Sequence, residues 1–456
     1  MNVVDKTADL TALRRAAHRA HRENDPDALQ AYARYLALAP NDAPIWSNLG
    51  ALHRSQKRYD AALRAQERAQ AIAPDDPALR NNYANILSDL GRYDESIAAR
   101  RWILSKTPDD ASQKAMIGRC LRGKGAYDEA ITYLSTVIPD HPDDTELKMQ
   151  LAFAQLGAKA FATAFDTYRV RWDTGELKAR DLPYSEWAGE PLDGKTVLVM
   201  PEQGFGDAIL FSRFVPVLKD MGARVLFLTE KPVAPVFDGL EGADWVGTSL
   251  PKASPVDYWI NSMELARIHF ERTNYIPEPV KIHVPEESRA RAASLVAPFP
   301  SVFKVGVVWT GSVTYKGNAF RSLSHRDLLP LSEIPGIQLF SLYKGPELKG
   351  YFADGTDAFI VNAAETEKHF GDSAATMQQM DLIVSSDTAT LHLAGSLGVP
   401  TWALLHWDPF WVWRHDGENT DWYPGMRLFR QHEPLNWGSV IDQVGVALED
   451  HIKAKT

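Results

Sequence analysis

Small and apolar residues return along the first third of the chain with a period of 34 residues. Ala28, Ala62, Ser96, Ala130 and Ala164 hold one such position, and Tyr59-Asp60, Tyr93-Asp94 and Tyr127-Asp128, continued by Phe161, hold another. Leu49-Gly50, Tyr83-Ala84 and Ile117-Gly118 keep the step as well, with Trp46 three residues before Leu49. The polar triplets Pro40-Asn41-Asp42, Pro74-Asp75-Asp76, Pro108-Asp109-Asp110 and Pro142-Asp143-Asp144 punctuate each unit at the same interval. A fixed period of this length marks a stack of identical supersecondary units, whose small residues permit close helix contact. After Trp172 the period stops, and "DTGELKARDLPYSEWAGEPLDGK" carries the chain to Lys195 as a polar, proline-bearing connection. Beyond it the pattern changes to short apolar runs alternating with helical segments. Thr196–Met200, the helix after Asp207 and Arg224–Thr229 form one βαβ unit. "FKVGVVWTG" from Phe303, then "IQLFSLY", "DLIVSSD" and "PTWALL", begin a second alternating set, so two α/β domains fit this stretch.

Composition narrows the function classes. The 456 residues are 45% hydrophobic, enough for real cores and about three domains. A net charge of -10 argues against nucleic acid or an anionic membrane surface as the main partner, so bound phosphates must be met locally. The amino-terminal stretch lacks the apolar core of a signal peptide, and no run approaches eighteen apolar residues, from which a cytoplasmic protein without membrane insertion is expected. The single cysteine, Cys120, allows no internal disulfide or multi-cysteine metal site and reads as a packing residue of the repeats.

Candidate chemistry gathers at two turns. In "MPEQGFGDAILFSRF" a strand runs into a helix through Gln203, Gly204, Gly206 and Asp207. A dinucleotide fingerprint needs a third glycine, but Ile209 stands there and Asp207 sits where a pyrophosphate would approach. An acid at the carboxyl end of a strand instead faces the ligand crevice of an open α/β sheet and can accept a proton. The same acid also suits an N-cap, which would satisfy free amides without chemistry. In "DLIVSSDTATLHLAGSLGVPTWALL" a strand ends at Asp387, a helix spans about Thr388 to Leu397, and Gly398 stops it. Thr388, Ala389 and Thr390 offer amides and hydroxyls at a helix start suited to a diphosphate, with His392 one turn further on the same side. Considered alone, that histidine is more often packed than ligand-binding. The aromatic segment "HWDPFWVWRHD" can stack on a base or sugar or close a core, and at most one of Trp407, Trp411 and Trp413 is expected at a ligand. Tyr423, Arg427 and Arg430 read as packing residues.

The 34-residue units resemble tetratricopeptide repeats. The resemblance implies two antiparallel helices per unit, the aspartate after each proline capping a first helix and the Tyr-Asp pair marking the turn between helices. A solenoid of this kind presents a groove for a polypeptide or serves as an assembly platform. The remainder, through "WAGEPLDGKTVLV", "EQGFGDAILFSRF", "VGVVWTGS", "FRSLS", "SSDTATLHLAGSLGVPTWALL" and "DWYPGMRLFRQ", resembles heptosyltransferase-like glycosyltransferases of the GT-B class, in the bacterial branch with amino-terminal tetratricopeptide repeats. The resemblance implies a repeat domain over 1–175 and two Rossmann-like domains over 176–295, the acceptor side, and 296–456, the nucleotide-sugar side. It implies Asp207 as the base that activates the acceptor hydroxyl. Gln203, Gly204 and Gly206 would line its crevice. Asp387, Thr388, Ala389, Thr390 and His392 would form the donor loop, with Lys316 or Arg321 as the cation facing the leaving phosphate. Some proteins of this architecture glycosylate flagellin, so a protein acceptor, flagellin among the candidates, is expected. An inactive adaptor and a transferase acting on a lipopolysaccharide-type glycan are the alternatives. The paired acids belong to helix turns and no Asp-x-Asp stands elsewhere in a site, so a metal-independent transferase without a cofactor is expected, an oligomer being open. Alanine at 389 departs from the glycine common in heptosyltransferases and leaves the sugar open.

Overall fold

The computed structural model describes residues 3–175, 177, 180–202, 204–251, 254–315 and 317–454, with side chains from residue 9 onward. It divides into two compact units, Met1–Ala154 and Gln155–Thr456.

The first unit is helical. Its elements are α1 (Val3–Arg22), α2 (Ala28–Leu38), α3 (Ala43–Ser55), α4 (Tyr59–Ile72), α5 (Pro77–Asp89), α6 (Tyr93–Leu104), α7 (Ala111–Gly123) and α8 (Tyr127–Val137). From α1 to α8 each helix packs on its chain neighbours, the signature of a solenoid. The triplet aspartates do what their position suggests: Asp42, Asp76 and Asp110 are the N-caps of α3, α5 and α7, each accepting a hydrogen bond from a first-turn amide. The tyrosines of the Tyr-Asp pairs open the second helices. Gly118 lets α7 approach α8, because a Cβ there would lie 2.5 Å from Leu134. Another periodic device lies in the turn before each second helix. Lys57, Gly91 and Gly125 have φ of 60°, 67° and 76°, again 34 residues apart, and Lys159 continues the series at 62°. Cys120 is buried beside Ser88 and Ser96. α9 (Thr145–Gly157) runs on into the second unit.

The second unit begins with the remainder of the repeats and then builds two parallel sheets. α10 (Phe161–Thr167) opens it. The first sheet contains β1 (Ser185–Glu186), β2 (Thr196–Met200), β3 (Arg224–Leu228), β4 (Trp245–Gly247) and β5 (Tyr258–Asn261) in the order β1-β5-β2-β3-β4, every pair parallel. Its helices are α11 (Phe205–Ser212), α12 (Pro216–Asp220) and α13 (Glu264–Arg272). α14 (Glu286–Val296) leads to the second sheet: β6 (Phe303–Val308), β7 (Ile337–Ser341), β8 (Ile360–Asn362), β9 (Leu382–Ser386), β10 (Thr401–Leu405) and β11 (Met426–Arg430). The order is β11-β10-β9-β6-β7-β8, again parallel throughout. Its helices are α15 (Asn318–Arg321), α16 (Leu348–Ala353), α17 (Phe370–Met377), α18 (Ala389–Leu397) and α19 (Trp437–Lys453). Strands β2, β9 and β10 are buried at every position, as sheets covered by helices on both faces require.

Both sheets reverse their strand order beside their first long strand. β2 lies between β3 and β5, and β6 lies between β7 and β9. Ligands of open α/β sheets bind outside the carboxyl ends of the strands at such switch points.

α10 joins this unit through aromatic packing. Phe165 stacks on Phe270 of α13 at 5.7 Å between ring centroids, and both Phe161 and Phe165 meet Trp411 edge-on. The second helix of the fifth helix pair therefore belongs to the core of the two-sheet unit, and the compact division falls at Ala154, before residue 175.

Candidate functional site

Asp207 follows β2 at the first switch point. Gly204 is the N-cap of α11, and Asp207 stands in the first turn of that helix, where its carboxylate accepts from the Gly204 amide instead of occupying the N-cap position itself. Asp207 as a whole residue is half-buried. Burial pushes its pKa up to about 7; the Gly204 amide opposes the rise, Glu202 and Asp387 add to it, and Arg321 opposes it. An acid so placed is ionised in useful proportion at neutral pH and basic enough to take a proton. Gln203 and Lys316, both expected at the site, lie outside the described residues.

The second sheet supplies the facing wall. Asp387 and Thr388 follow β9 and are buried at 6% and 8% exposure. Thr388 is the N-cap of α18, its hydroxyl accepting from the Thr390 amide at 3.3 Å, and Gly398 ends the helix in the left-handed conformation. That amide is thus already engaged, and Ala389 and Thr390 remain half-buried at the helix start. Asp387 is raised above the usual carboxylate range by burial, with Arg321 opposing. Arg321, at the end of α15 beyond β6, reaches the same place. A Cβ on Gly311 would lie 2.8 Å from its Nη2 and 3.0 Å from Cγ2 of Thr388. Its Nε donates to Asn318 Oδ1 at 3.2 Å and its guanidinium lies 4.5 Å from the ring centroid of Tyr315, which fixes its aim.

The two walls touch where α11 crosses α18. A Cβ on Gly206 would come within 3.0 Å of His392 Cδ2 and 3.3 Å of the Ala389 Cα, so glycine allows this close approach where any side chain would have to push its neighbours back. Nearby, Phe205 meets Phe370 edge-on at 5.2 Å.

His392 is a packed residue. It is 4% exposed, stacked on Trp413 at 5.5 Å, and its Nδ1 shares a hydrogen bond of 2.9 Å with the Tyr423 hydroxyl. Burial, with the charges of Arg213 and Arg321, lowers its pKa to about 3. A neutral imidazole can hydrogen-bond but cannot neutralise a phosphate.

Sequence reasoning left unassigned the groups that hold this wall. Arg213 is buried, donates from Nη1 to the Trp422 carbonyl at 2.9 Å, and lies 4.8 Å from the Tyr423 ring centroid. A lone arginine closing the apolar run "AILFSRF" was the available signal. The aromatic segment closes a core: Trp411 and Trp413 are buried, and half-buried Trp407 meets Phe320 edge-on. Arg430 ties the loop after Trp413 by donating to the carbonyls of Trp413, Arg414 and Gly417, a packing role as expected. Among the described residues no three His, Cys, Asp or Glu side chains gather as a metal set.

Residues 12–77 and 53–120 each match the Tetratricopeptide repeat family. The first unit carries tetratricopeptide repeats. The chain is 25% identical over 300 residues to Protein FlbA of Caulobacter vibrioides, an alignment covering 59% of this chain and 49% of that protein. The chain thus spans about half the length of the curated relative it matches. Among solved structures, MamA from Desulfovibrio magneticus RS-1 is 14% identical with a TM-score of 0.34, covering 37% of this chain and 97% of that one. YrrB, described as a TPR protein with an unusual peptide-binding site, is 18% identical with a TM-score of 0.30, covering 34% and 81%. Likeness this low carries no argument for the present chain. No described helix is long and apolar enough to cross a membrane.

Proposed function

We propose that the chain is a metal-independent glycosyltransferase of the GT-B type, which moves a sugar from a nucleotide-sugar to a polypeptide recruited by its repeats. The observation that carries the reading is the convergence, at two facing switch points, of a raised carboxylate on one sheet with an arginine and a helix start on the other. Asp207 takes the proton of the acceptor hydroxyl as its oxygen bonds to the anomeric carbon. The bond from that carbon to the phosphate oxygen breaks, and the electron pair leaves with the nucleotide, its charge met by Arg321 and the amino-terminal end of α18. Asn318 and Tyr315 set the aim of Arg321, and buried Asp387 shares its electrostatic surroundings. The donor is a substrate, and no resident cofactor is needed.

A protein acceptor follows from the repeats, which are interaction scaffolds, and flagellin is the candidate suggested by the resemblance. The test is a calorimetric screen against CMP, UDP, GDP and ADP, followed by transfer from the matching sugar-nucleotide. One nucleotide is expected to bind and to lose at least about tenfold affinity in Arg321→Ala, as the loss of a charged hydrogen-bond donor implies. Failure of all four to bind would remove the transferase reading and leave a protein-binding adaptor.

A further inference from the structure

Beyond the site itself, a cluster of charged side chains withdrawn from solvent lies immediately before it. Arg171 follows α10 in a short 3-10 segment, Tyr168–Thr174. Its Nε donates to Glu202 Oε1 at 2.6 Å, its Nη2 to Glu202 Oε2 at 3.1 Å and to Glu264 Oε1 at 2.8 Å. Its Nη1 donates to the Tyr168 carbonyl at 3.1 Å. The side chains of Arg171, Glu202 and Glu264 are 4%, 0% and 7% exposed. Glu264 has two further cations, Arg267 at 3.1 Å and Arg169 at 3.5 Å, whereas Arg171 is the ion-pair partner of Glu202 among the described residues. Glu202 lies two residues beyond β2 and five before Asp207.

We propose that Arg171 is a positioning residue for the proposed transferase. It clamps Glu202 against Glu264 and thereby fixes the segment leading from β2 into Asp207.

The inference rests on Asp207 acting as the base. A buried carboxylate stays charged only while its partner holds it, and the clamp is bidentate, which sets direction as well as charge. The Glu202 held in that clamp is one of the charges that raise the Asp207 pKa. The other groups around Asp207 are Asp387 just after β9, Arg321 of α15, and Tyr423 and Tyr315; Arg180 lies near Glu202 and donates to the Pro201 carbonyl and Asn261. Of these, Glu202 is the group whose setting Arg171 controls. A purely structural ion pair would hold the fold and leave the titration of Asp207 untouched.

The experiment uses full-length protein with Glu202→Gln, which keeps shape, and with Arg171→Met and Arg171→Lys. The titration of Asp207 is followed by carboxyl-carbon NMR in protein labelled with 13C-aspartate, the signal being assigned with Asp207→Asn. In parallel, kcat and donor KM are measured across pH. Glu202→Gln should move the Asp207 midpoint and the acid limb of kcat to lower pH by about half a unit or more, because a neighbouring negative charge is removed. Arg171→Met should lower kcat about tenfold with donor KM within about twofold, and Arg171→Lys should recover part of the loss. An unmoved Asp207 midpoint in Glu202→Gln overturns the proposal, as does an Arg171→Met that leaves kcat intact. Should Arg171→Met fail to fold, the Glu202→Gln titration decides. A wild-type protein that transfers no sugar would sink the transferase reading, while the NMR titration would still decide whether Glu202 governs Asp207.

Discussion

The repeat unit and the two-sheet unit use their sequence differently. In the repeats each stabilising device recurs: a capping aspartate, an opening tyrosine, a left-handed turn residue and a small residue at the helix contact. Most contacts are made between chain neighbours, with a few reaching one helix further, as α3 does to α5, so a defect stays within adjacent repeats and its signature is written as often as the repeat is. In the two-sheet unit nothing recurs. The site draws on Asp207, Arg321 and Asp387, brought together by two separate sheets whose strand orders reverse beside β2 and β6. A single change there acts at a distance in sequence.

The sharpest way to break this comparison is to cut at its boundary. Removing residues 1–154 should leave a soluble body that unfolds cooperatively, because α10 and Arg171 stay with their partners. Removing residues 1–175 should give aggregation. It takes away Phe161, Phe165 and Arg171, strips cover from Phe270 and Trp422, and leaves Glu202 buried without its cation. Equal solubility and melting temperature for the two truncations would show that α10 is no part of this core.

Asp207→Asn should lower transfer at least about 100-fold while nucleotide binding is kept, the lower end of a general-base contribution. The wild-type rate should rise with pH through about 7, where Asp207 loses its proton. Stability should respond with the opposite sign. The folded group has its pKa raised above the unfolded value, so wild-type stability falls as pH climbs through the interval up to about 7. Asp207→Asn removes that dependence, and its melting temperature relative to wild type should be higher at pH 8 than at pH 5. A variant that loses nucleotide binding and turnover equally would make Asp207 a structural residue.

How much of this was legible differs by region for the same physical reason. The caps at Asp42, Asp76 and Asp110 could be read from the repeat pattern, whereas the Tyr-Asp pairs, expected in the turn between helices, lie one step later, as the first residues of α4, α6 and α8. The strand-to-helix turns at Asp207 and Asp387 were legible as turns. The neutral, stacked state of His392 was not, since it depends on Trp413 and Tyr423, which approach from a loop and a segment far along the chain. The clamp of Arg171 on Glu202 was likewise hidden, because a charged residue at the end of the last repeat looks solvated until the fold buries it.

The crossing of α11 and α18 offers a smaller effect. Gly206→Val should cost about 1–3 kcal/mol by urea unfolding, since the added carbons meet His392 and the Ala389 backbone. Gly204→Ala, two residues earlier, meets only Asp207 Oδ2 at 3.7 Å and has an ordinary φ of -69°, so it should stay within about 0.5 kcal/mol. Equal costs at the two glycines would mean that the helices are not held at this distance.

The smallest effects belong to the repeats, and they test how far repetition makes sites equivalent. Asp110→Ala should cost about 1 kcal/mol, the ordinary value of an N-cap, because its carboxylate accepts from the Gln113 amide at 3.1 Å and no ion pair adds to it among the described residues. Asp42→Ala removes the same kind of cap, an acceptor for the Ile45 amide at 3.3 Å. It also removes an acceptor for the Tyr35 hydroxyl at 2.7 Å and the partner of Arg14 at 3.1 Å. The arginine is half-exposed, so that pair adds little, whereas the tyrosine is buried and its hydroxyl would lose its partner. Asp42→Ala should therefore be the costlier substitution by roughly 1 kcal/mol, and Asp42→Ala with Tyr35→Phe should recover part of the difference. Identical denaturant midpoints for Asp42→Ala and Asp110→Ala would mean that the cap alone sets the energy of this position, and that the tyrosine contact contributes nothing beyond the periodic design.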